Sequence, residues 1–514
     1  MRRGRPVATL ALAALALAGC NRMLLPGHER CPADGGRPWH EYQSGHFVVD
    51  TDLDAPAAAA LVDDLERIRA LVTAALVGNA LEIPGYVRVV VPTSMYTYHA
   101  VAPQMAVGYF GVGGLGEPTV VLHPEFLGRD PEVIAHELTH HLSWYLFPRQ
   151  PRWFAEGIAQ FAQTVANKDG PYPSTAGLVP RNGAGHLLEA ETMAARQILQ
   201  PRRIDGEFQM WSWVLYHWLW NERSGGLSEY QRRLGIGEEP KAAWRASFPE
   251  FEGEAGLARL TKAIDVHRRK GEFTPYAVHA EWNGAFSVAP LGSADVHMLL
   301  LDVGNEERRN VVRSQVLAAL EEDPTNPVAL RWKAGLEGVS AVPSLRAAAA
   351  SRPWDWRAWL LLAEALAGDE AKAKRAGDAA TAGGAAAPGA DVAAPRGEER
   401  SREALGRERI DAYRRALELN RSSSRAHAGL ARALAEGGRA AEAVPDARRA
   451  VELWPSDPAA IATLARIAAD LGACEEARPL LARATDLLPK KGAAEARRQL
   501  SAAERRCGAA AASR

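Results

Sequence analysis

The sequence predicts two architectures in one chain: an α+β unit over residues 41–275, then an all-α superhelix of stacked helix pairs that reaches residue 507. Two observations carry this. The pentapeptide His136-Glu137-Leu138-Thr139-His140 lies inside an apolar run with helical patterning, Val133 to Leu142, and fixes a helix within the first unit. Further on, small and large apolar residues return every 34 positions: Ala416, Ala450 and Ala484, then Leu419, Leu453 and Leu487, with Gly438 and Gly472 in step. A fixed period of that length marks helix-pair repeats, each of which buries its apolar face only against its neighbours.

Taken in order, the chain opens on a processing signal. Arg2, Arg3 and Arg5 precede the apolar run Val7–Ala18, which is too short to span a bilayer. Leu17-Ala18-Gly19-Cys20 resembles the lipobox of bacterial lipoproteins. That resemblance implies removal of residues 1–19 and a diacylglyceryl chain on the Cys20 thiol. It also implies a place in the cell envelope, lipid-anchored to a membrane. Asn21 favours the outer membrane, with the protein facing the periplasm or the cell surface. Residues 20–40, rich in Pro, Gly and charge, read as a tether. Lys and Arg number 61 against 62 Asp and Glu, a net charge of −1, which leaves no basic footprint for nucleic acid.

On a helix, positions i and i+4 stack one above the other, so the imidazoles of His136 and His140 can reach one metal ion. Glu137 sits about 100° round from His136, near such an ion without being forced to ligate it, where a general base for a bound water belongs. The helix should run out near Leu146, because Pro148 and Pro151 cannot continue it. A second helix starting about Trp153 then folds back and offers Glu156, sixteen residues after His140. Two His and one carboxylate with a fourth position open make a catalytic zinc arrangement rather than a structural one.

The pair of segments HELTH and WFAEGIA resembles the gluzincin metallopeptidases, in particular the bacterial peptidase MA-like group often fused to tetratricopeptide repeats (TPRs). The resemblance covers roughly residues 41–270. It implies a zincin-like α+β domain with a strand near 46–52, a helix over 56–77, the strand Tyr86–Val91 and a Gly-rich turn, then the strand Thr119–Leu122 leading into the HExxH helix. It further implies Zn2+ held by His136, His140 and Glu156, Glu137 as base, and a polypeptide substrate laid along Thr119–Leu122 as the sheet edge bordering the cleft. Gluzincins commonly steady the oxyanion with a downstream Tyr or His; Tyr216 and His217, on the aromatic helix Gln209–Glu222, are the candidates. The other rings of that helix read as core. One departure concerns the position one turn past the third ligand, where relatives can place an acidic residue that steadies a ligating His: here it is Gln160. Gly111 to Gly116 matches GxGxxG, but it precedes a strand instead of opening a helix, so it reads as a turn beside the cleft. His141 reads as a packed or surface residue, and His40, His46, His99 and His123 have no ligand spacing.

The segment 229–250 reads as helical and aromatic-anchored, 276–310 as a connector, 311–370 as degenerate TPR-like helices and 371–402 as a low-complexity insertion. Residues 403–507 carry the TPR period, and their groove is expected to take a protein partner. Of the four Cys, Cys474 opens one predicted helix and Cys507 closes the next; antiparallel packing brings the two within disulfide reach. Cys31 is left over in the tether. Two function classes result: a lipid-anchored zinc metallopeptidase, and a lipoprotein scaffold whose peptidase site is idle.

Overall fold

A computed structural model describes residues 36–78, 83–101, 108–126, 131–167, 174–181, 191–303, 309–383, 396–488 and 493–512. The signal segment, Cys20, Cys31 and the tether up to residue 35 lie outside them. The first unit begins with β1 (Trp39–Gln43), β2 (Phe47–Thr51), α1 (Ala55–Val77), β3 (Val87–Val91), α2 (Met95–Val101), β4 (Gly108–Val112) and β5 (Pro118–Leu122). It continues with α3 (Pro131–Leu146), α4 (Arg152–Ala162), β6 (Thr175–Ala176), α5 (Ala195–Leu199), α6 (Gly206–Glu222) and α7 (Ser224–Gly235). Then come α8 (Pro240–Ser247), α9 (Gly253–Lys270), β7 (Tyr276–Ala277), β8 (Ser287–Leu291) and α10 (Ser293–Val303).

Six strands form one sheet in the order β4-β5-β3-β2-β1-β8, with β2, β3 and β5 parallel and β4 antiparallel to β5. The period-two pattern of the strands decides what each face meets. Phe47, Val49, Val87, Val89, Val91, Val120 and Leu122 bury against α1 and α3. Val90 and Val121 point the other way, against Tyr98 and Val101 of α2 and Val296, Leu299 and Leu300 of α10. The long helix α1 is launched by Asp54, whose side chain accepts from the Ala57 N–H, with Pro56 in its first turn.

Three expectations are corrected here. Thr119–Leu122 is not an edge: β5 is hydrogen-bonded on both sides, and β4 is the edge strand on that side among the described residues. The 276–310 segment is not a mere connector, since β8 extends the sheet beside β1 and α10 covers one face. The sheet also begins inside the expected tether, at Trp39.

The second unit is a run of helices: α11 (Arg309–Glu322), α12 (Pro327–Glu337), α13 (Val342–Ser351), α14 (Trp356–Gly383), α15 (Arg396–Leu419), α16 (Ser424–Glu436), α17 (Ala440–Leu453), α18 (Pro458–Asp470), α19 (Cys474–Leu487) and α20 (Ala494–Ala512). The 34-residue period maps onto the pairs α16/α17 and α18/α19. Ala416, Ala450 and Ala484 are fully buried at equivalent places, and the small side chain lets neighbouring helices close in. Gly438 and Gly472 both have φ of 77°, the left-handed turn that ends the first helix of each pair and that a side chain would strain. The expected low-complexity insertion is helical where it is described, as the end of α14 and the start of α15; residues 384–395 lie outside the description.

Candidate metal centre

α3 ends at Leu146, where the Phe147 N–H still bonds to the Ser143 carbonyl before Pro148 turns the chain. Pro151 then caps α4, whose pre-set φ suits a helix start. The returning helix crosses α3 and delivers Glu156 to the two imidazoles. His136 Nε2 and His140 Nε2 lie 3.1 Å apart, and Glu156 Oε2 is 3.6 Å from the first and 3.7 Å from the second. A tetrahedral zinc ion with N and O ligands at about 2.0–2.1 Å spaces its ligand atoms roughly 3.3 Å apart. The triangle therefore fits such an ion with small adjustments. Among the described residues, these three are the one group of His, Cys, Asp and Glu side chains placed to hold a metal.

Electrostatics agree with a cation site. Burial pushes the Glu156 carboxyl up, but the nearby His136 and His140 imidazoles overcome it and hold it at about 2. Burial and the neighbouring His136 depress His140 to about 4, which leaves it neutral and ready to ligate. His136 moves up: burial opposes the shift, but Glu156 and Glu137 outweigh it. Glu137 is half-buried and close enough to act on His136 and, after burial, to raise the Tyr98 hydroxyl to about 12.

The surroundings of the triad hold what the sequence reading missed. His136 Nδ1 bonds to Gln163 Oε1 at 2.8 Å, and Gln163 Nε2 donates to Glu132 Oε2 at 2.7 Å. Glu132, 2% exposed, also accepts from Asn167 Nδ2 and from the Arg181 N–H. So Gln163, not Gln160, is the amide bonded to His136. Helical spacing carried a signal for both: Glu132 lies one turn before His136, and Gln163 two turns beyond Glu156. Gln209 Nε2, from α6, donates to Glu156 Oε2 at 3.1 Å, and no sequence pattern announced it.

Tyr216 and His217 are not at the centre, which corrects the expected oxyanion role. Tyr216 is 1% exposed, wedged against Phe154 and Phe161, with its hydroxyl accepting from Gln231. His217 is fully buried and bonds to His267 and Asn221. Both sit on α6 too far along from Gln209 to reach the metal triangle. His141 is buried against Tyr145 and Trp454, as a packing residue. His46 bonds to Glu66, and His123 packs on Tyr98. Gly113 to Gly116 form the tight turn between β4 and β5. Cys474 and Cys507 are joined by a disulfide with a Cα–Cα distance of 5.4 Å, although Cys507 lies inside α20 instead of closing it.

No family model matches the chain, and no curated protein matches it. Among solved structures it is similar to TTC0263, a thermophilic TPR protein of Thermus thermophilus. Identity is 18% and the TM-score 0.30, over 41% of this chain and 96% of that one. It is also similar to a human IFIT1 dimer with PPP-AAAA, at 15% identity and a TM-score of 0.24, over 61% of this chain and 74% of that one. Likeness at those scores carries no argument about this chain. Its TPR-like repeats rest on its own period and stacked helix pairs. The fold and the site thus define an α+β unit with a His-His-Glu constellation, joined to a TPR-like helical array.

Proposed function

We propose that this chain is a zinc-dependent metallopeptidase of the gluzincin kind, working on polypeptides in the cell envelope, with the helical array recruiting substrate or partner. The observation that carries the reading is the convergence of His136, His140 and Glu156 on one point with Glu137 beside them. His136 Nε2, His140 Nε2 and a Glu156 oxygen would hold zinc, which supplies Lewis acidity to the scissile carbonyl and acidifies a water. The Glu137 carboxylate takes a proton from the attacking water and later gives it to the leaving amine. Gln163 and Gln209 keep His136 and Glu156 in their ligating orientations. The free edge of β4 offers backbone N–H and C=O groups to an extended substrate, which would add to the sheet as a further strand. The lipobox-like Cys20 would tie this chemistry to a membrane.

A second reading, a lipoprotein scaffold with an idle site, is favoured by the array itself, whose inner face lines most of an open cavity of about 2890 Å³. One experiment separates the two: zinc content together with cleavage of a casein-like substrate, for the native chain and for Glu137→Gln. The peptidase reading expects about one zinc per chain in both and cleavage only in the native chain. Zinc without cleavage in the native chain would leave the scaffold.

A further inference from the structure

The large cavity does not end at the repeats. Its wall includes Gly111, Gly113 and Gly116, from the β4 edge and the turn after it, and Trp144 of α3, one turn beyond His140. At the other end of β4, Gly108 lies against Val133, at the start of α3. The β4 strand and helix α3 thus meet at Gly108 and Val133, and Gly111 of β4 and Trp144 of α3, one turn beyond His140, both line the groove of the array. The joint is fastened on both sides. Arg425 of α16 donates to the Gly114 carbonyl, and Asp302 of α10 accepts from the Gly114 N–H at 2.6 Å. Tyr145 of α3 donates to the Leu453 carbonyl at 2.6 Å.

Charge says what the groove suits. Ten Arg, no Lys and eight carboxylates line it. Several of those carboxylates are already committed: Glu364 to Arg425, Glu370 and Glu436 to Arg409, and Asp470 to Arg466 and Arg506. Arg432, half-buried on the groove face of α16, has no carboxylate within ion-pair distance among the described residues. It lies seven positions after Arg425 and three after Gly429, on one helix face. Gly429 has no side chain because a Cβ there would meet the Tyr413 ring at 2.3 Å; the Tyr413 hydroxyl below is buried without a partner.

We propose that the groove is an exosite for the substrate of the metal centre: an acidic segment of an extended polypeptide binds across Arg432, and the same chain continues past Trp144 onto the edge of β4. This rests on the peptidase reading for what happens at the metal, but not for the docking itself. Glu436, Glu495 and Glu364 lie near enough to act on Arg432 without pairing with it, so its guanidinium keeps two parallel N–H donors with which to grip a carboxylate guest.

The test uses the zinc-loaded full chain carrying Glu137→Gln, so that peptides are bound and not consumed, and reads the anisotropy of fluorescent extended peptides. An acidic peptide should bind at least tenfold tighter than its basic counterpart and should loosen as ionic strength rises. Arg432→Gln should weaken it roughly tenfold while zinc content and the melting temperature stay put. A dependence on salt in the unaltered groove keeps the test valid if the variant folds poorly. Amidating the C-terminus separates the two sources of carboxylate: loss of binding assigns the site to a chain end, retention to Asp and Glu side chains. Binding that ignores peptide charge, salt and Arg432 overturns the proposal. In the chain with Glu137 intact, long acidic peptides should be cleaved faster than short ones sharing the same scissile bond. Groove binding without any cleavage would remove the peptidase reading and leave the docking site standing.

Discussion

His136 is gripped through its Nδ1 by Gln163, and Gln163 is oriented in turn by Glu132, so an amide stands between an imidazole and a buried carboxylate. Moving the charge separates positioning from mere packing. Gln163→Glu alone sets two carboxylates against each other and should lower zinc affinity by about 10–100-fold. Adding Glu132→Gln restores one acid and one amide in reversed order, and affinity measured by chelator competition should recover most of the loss. A double variant no tighter than the single one would reject the relay. Glu156→Ala should lose the metal, because it removes one of three ligands, whereas Glu137→Gln should retain it and lose hydrolysis, as metal analysis beside a peptide assay will register. The convergence of His136 and His140 was legible because a spacing of four on a helix dictates where two imidazoles point. Of the supporting residues, Glu132 and Gln163 sit at helical spacings whose meaning only the fold reveals, and Gln209 reaches the site from a crossing helix that no local pattern ties to His136.

Between elements, the crossing of α4 and α6 sets the depth at which Glu156 sits. A Cβ on Gly157 would lie 2.6 Å from the Ser212 carbonyl oxygen and 2.9 Å from the Tyr216 Cβ, so only glycine allows the approach. Gly157→Ala should cost about 1–3 kcal/mol and loosen zinc as well, by pushing Glu156 away; an unchanged thermal midpoint would show that the helices have slack. The same helix α6 explains why Tyr216 and His217 were misread. Their spacing from the metal motif is silent about which side faces the cleft, and the closeness imposed by Gly157 turns Tyr216 into the core. The Gly111 to Gly116 turn hides the end of β4, which runs Gly108–Val112, while the better β-former β5 reads as the edge. The α6–α9 contact adds a pH dependence. Burial, then the neighbouring His267, depress His217 from the usual 6.5 to about 4. Burial also lowers His267. Between those two values the unfolded chain binds more protons than the native one. Stability from His217 is therefore complete above about 6.5 and lost as the pH falls toward about 4, on the order of 3 kcal/mol in all. Denaturant melts across that window should steepen with acid in the native chain and flatten in His217→Gln; parallel curves would clear His217.

At the scale of the whole molecule, the two units share an element instead of being strung on a linker. α10 covers one sheet face through Val296, Leu299 and Leu300 while Ala294 and Met298 pack with α11, so the sheet and the array have a common wall. Composition could not reveal this, because a helix apolar on two sides reads like any buried helix. The 34-residue period was legible for a corresponding reason: repeated small residues at fixed places report nearest-neighbour packing directly. At the far end of the described residues, α19 and α20 pack against α18 through Ala477, Leu481, Ala484, Leu500 and Ala503. The Cys474–Cys507 disulfide closes that end across a separation of 33 residues. Loop closure of that length is worth roughly 3–4 kcal/mol in the unfolded-chain account. The stapled pair also reaches the α+β unit: Asp486 of α19 pairs with Arg149 in the turn between α3 and α4, and the preceding repeat takes the Tyr145 hydrogen bond at Leu453. Cys474→Ser with Cys507→Ser should therefore raise amide hydrogen exchange first in α19 and α20 and next in residues 145–149, while the zinc content expected of the His136, His140 and Glu156 cluster stays unchanged. Unchanged protection in α19 and α20 would mean that packing alone holds the end of the array. Early loss of zinc would mean that the repeats support the metal helix directly.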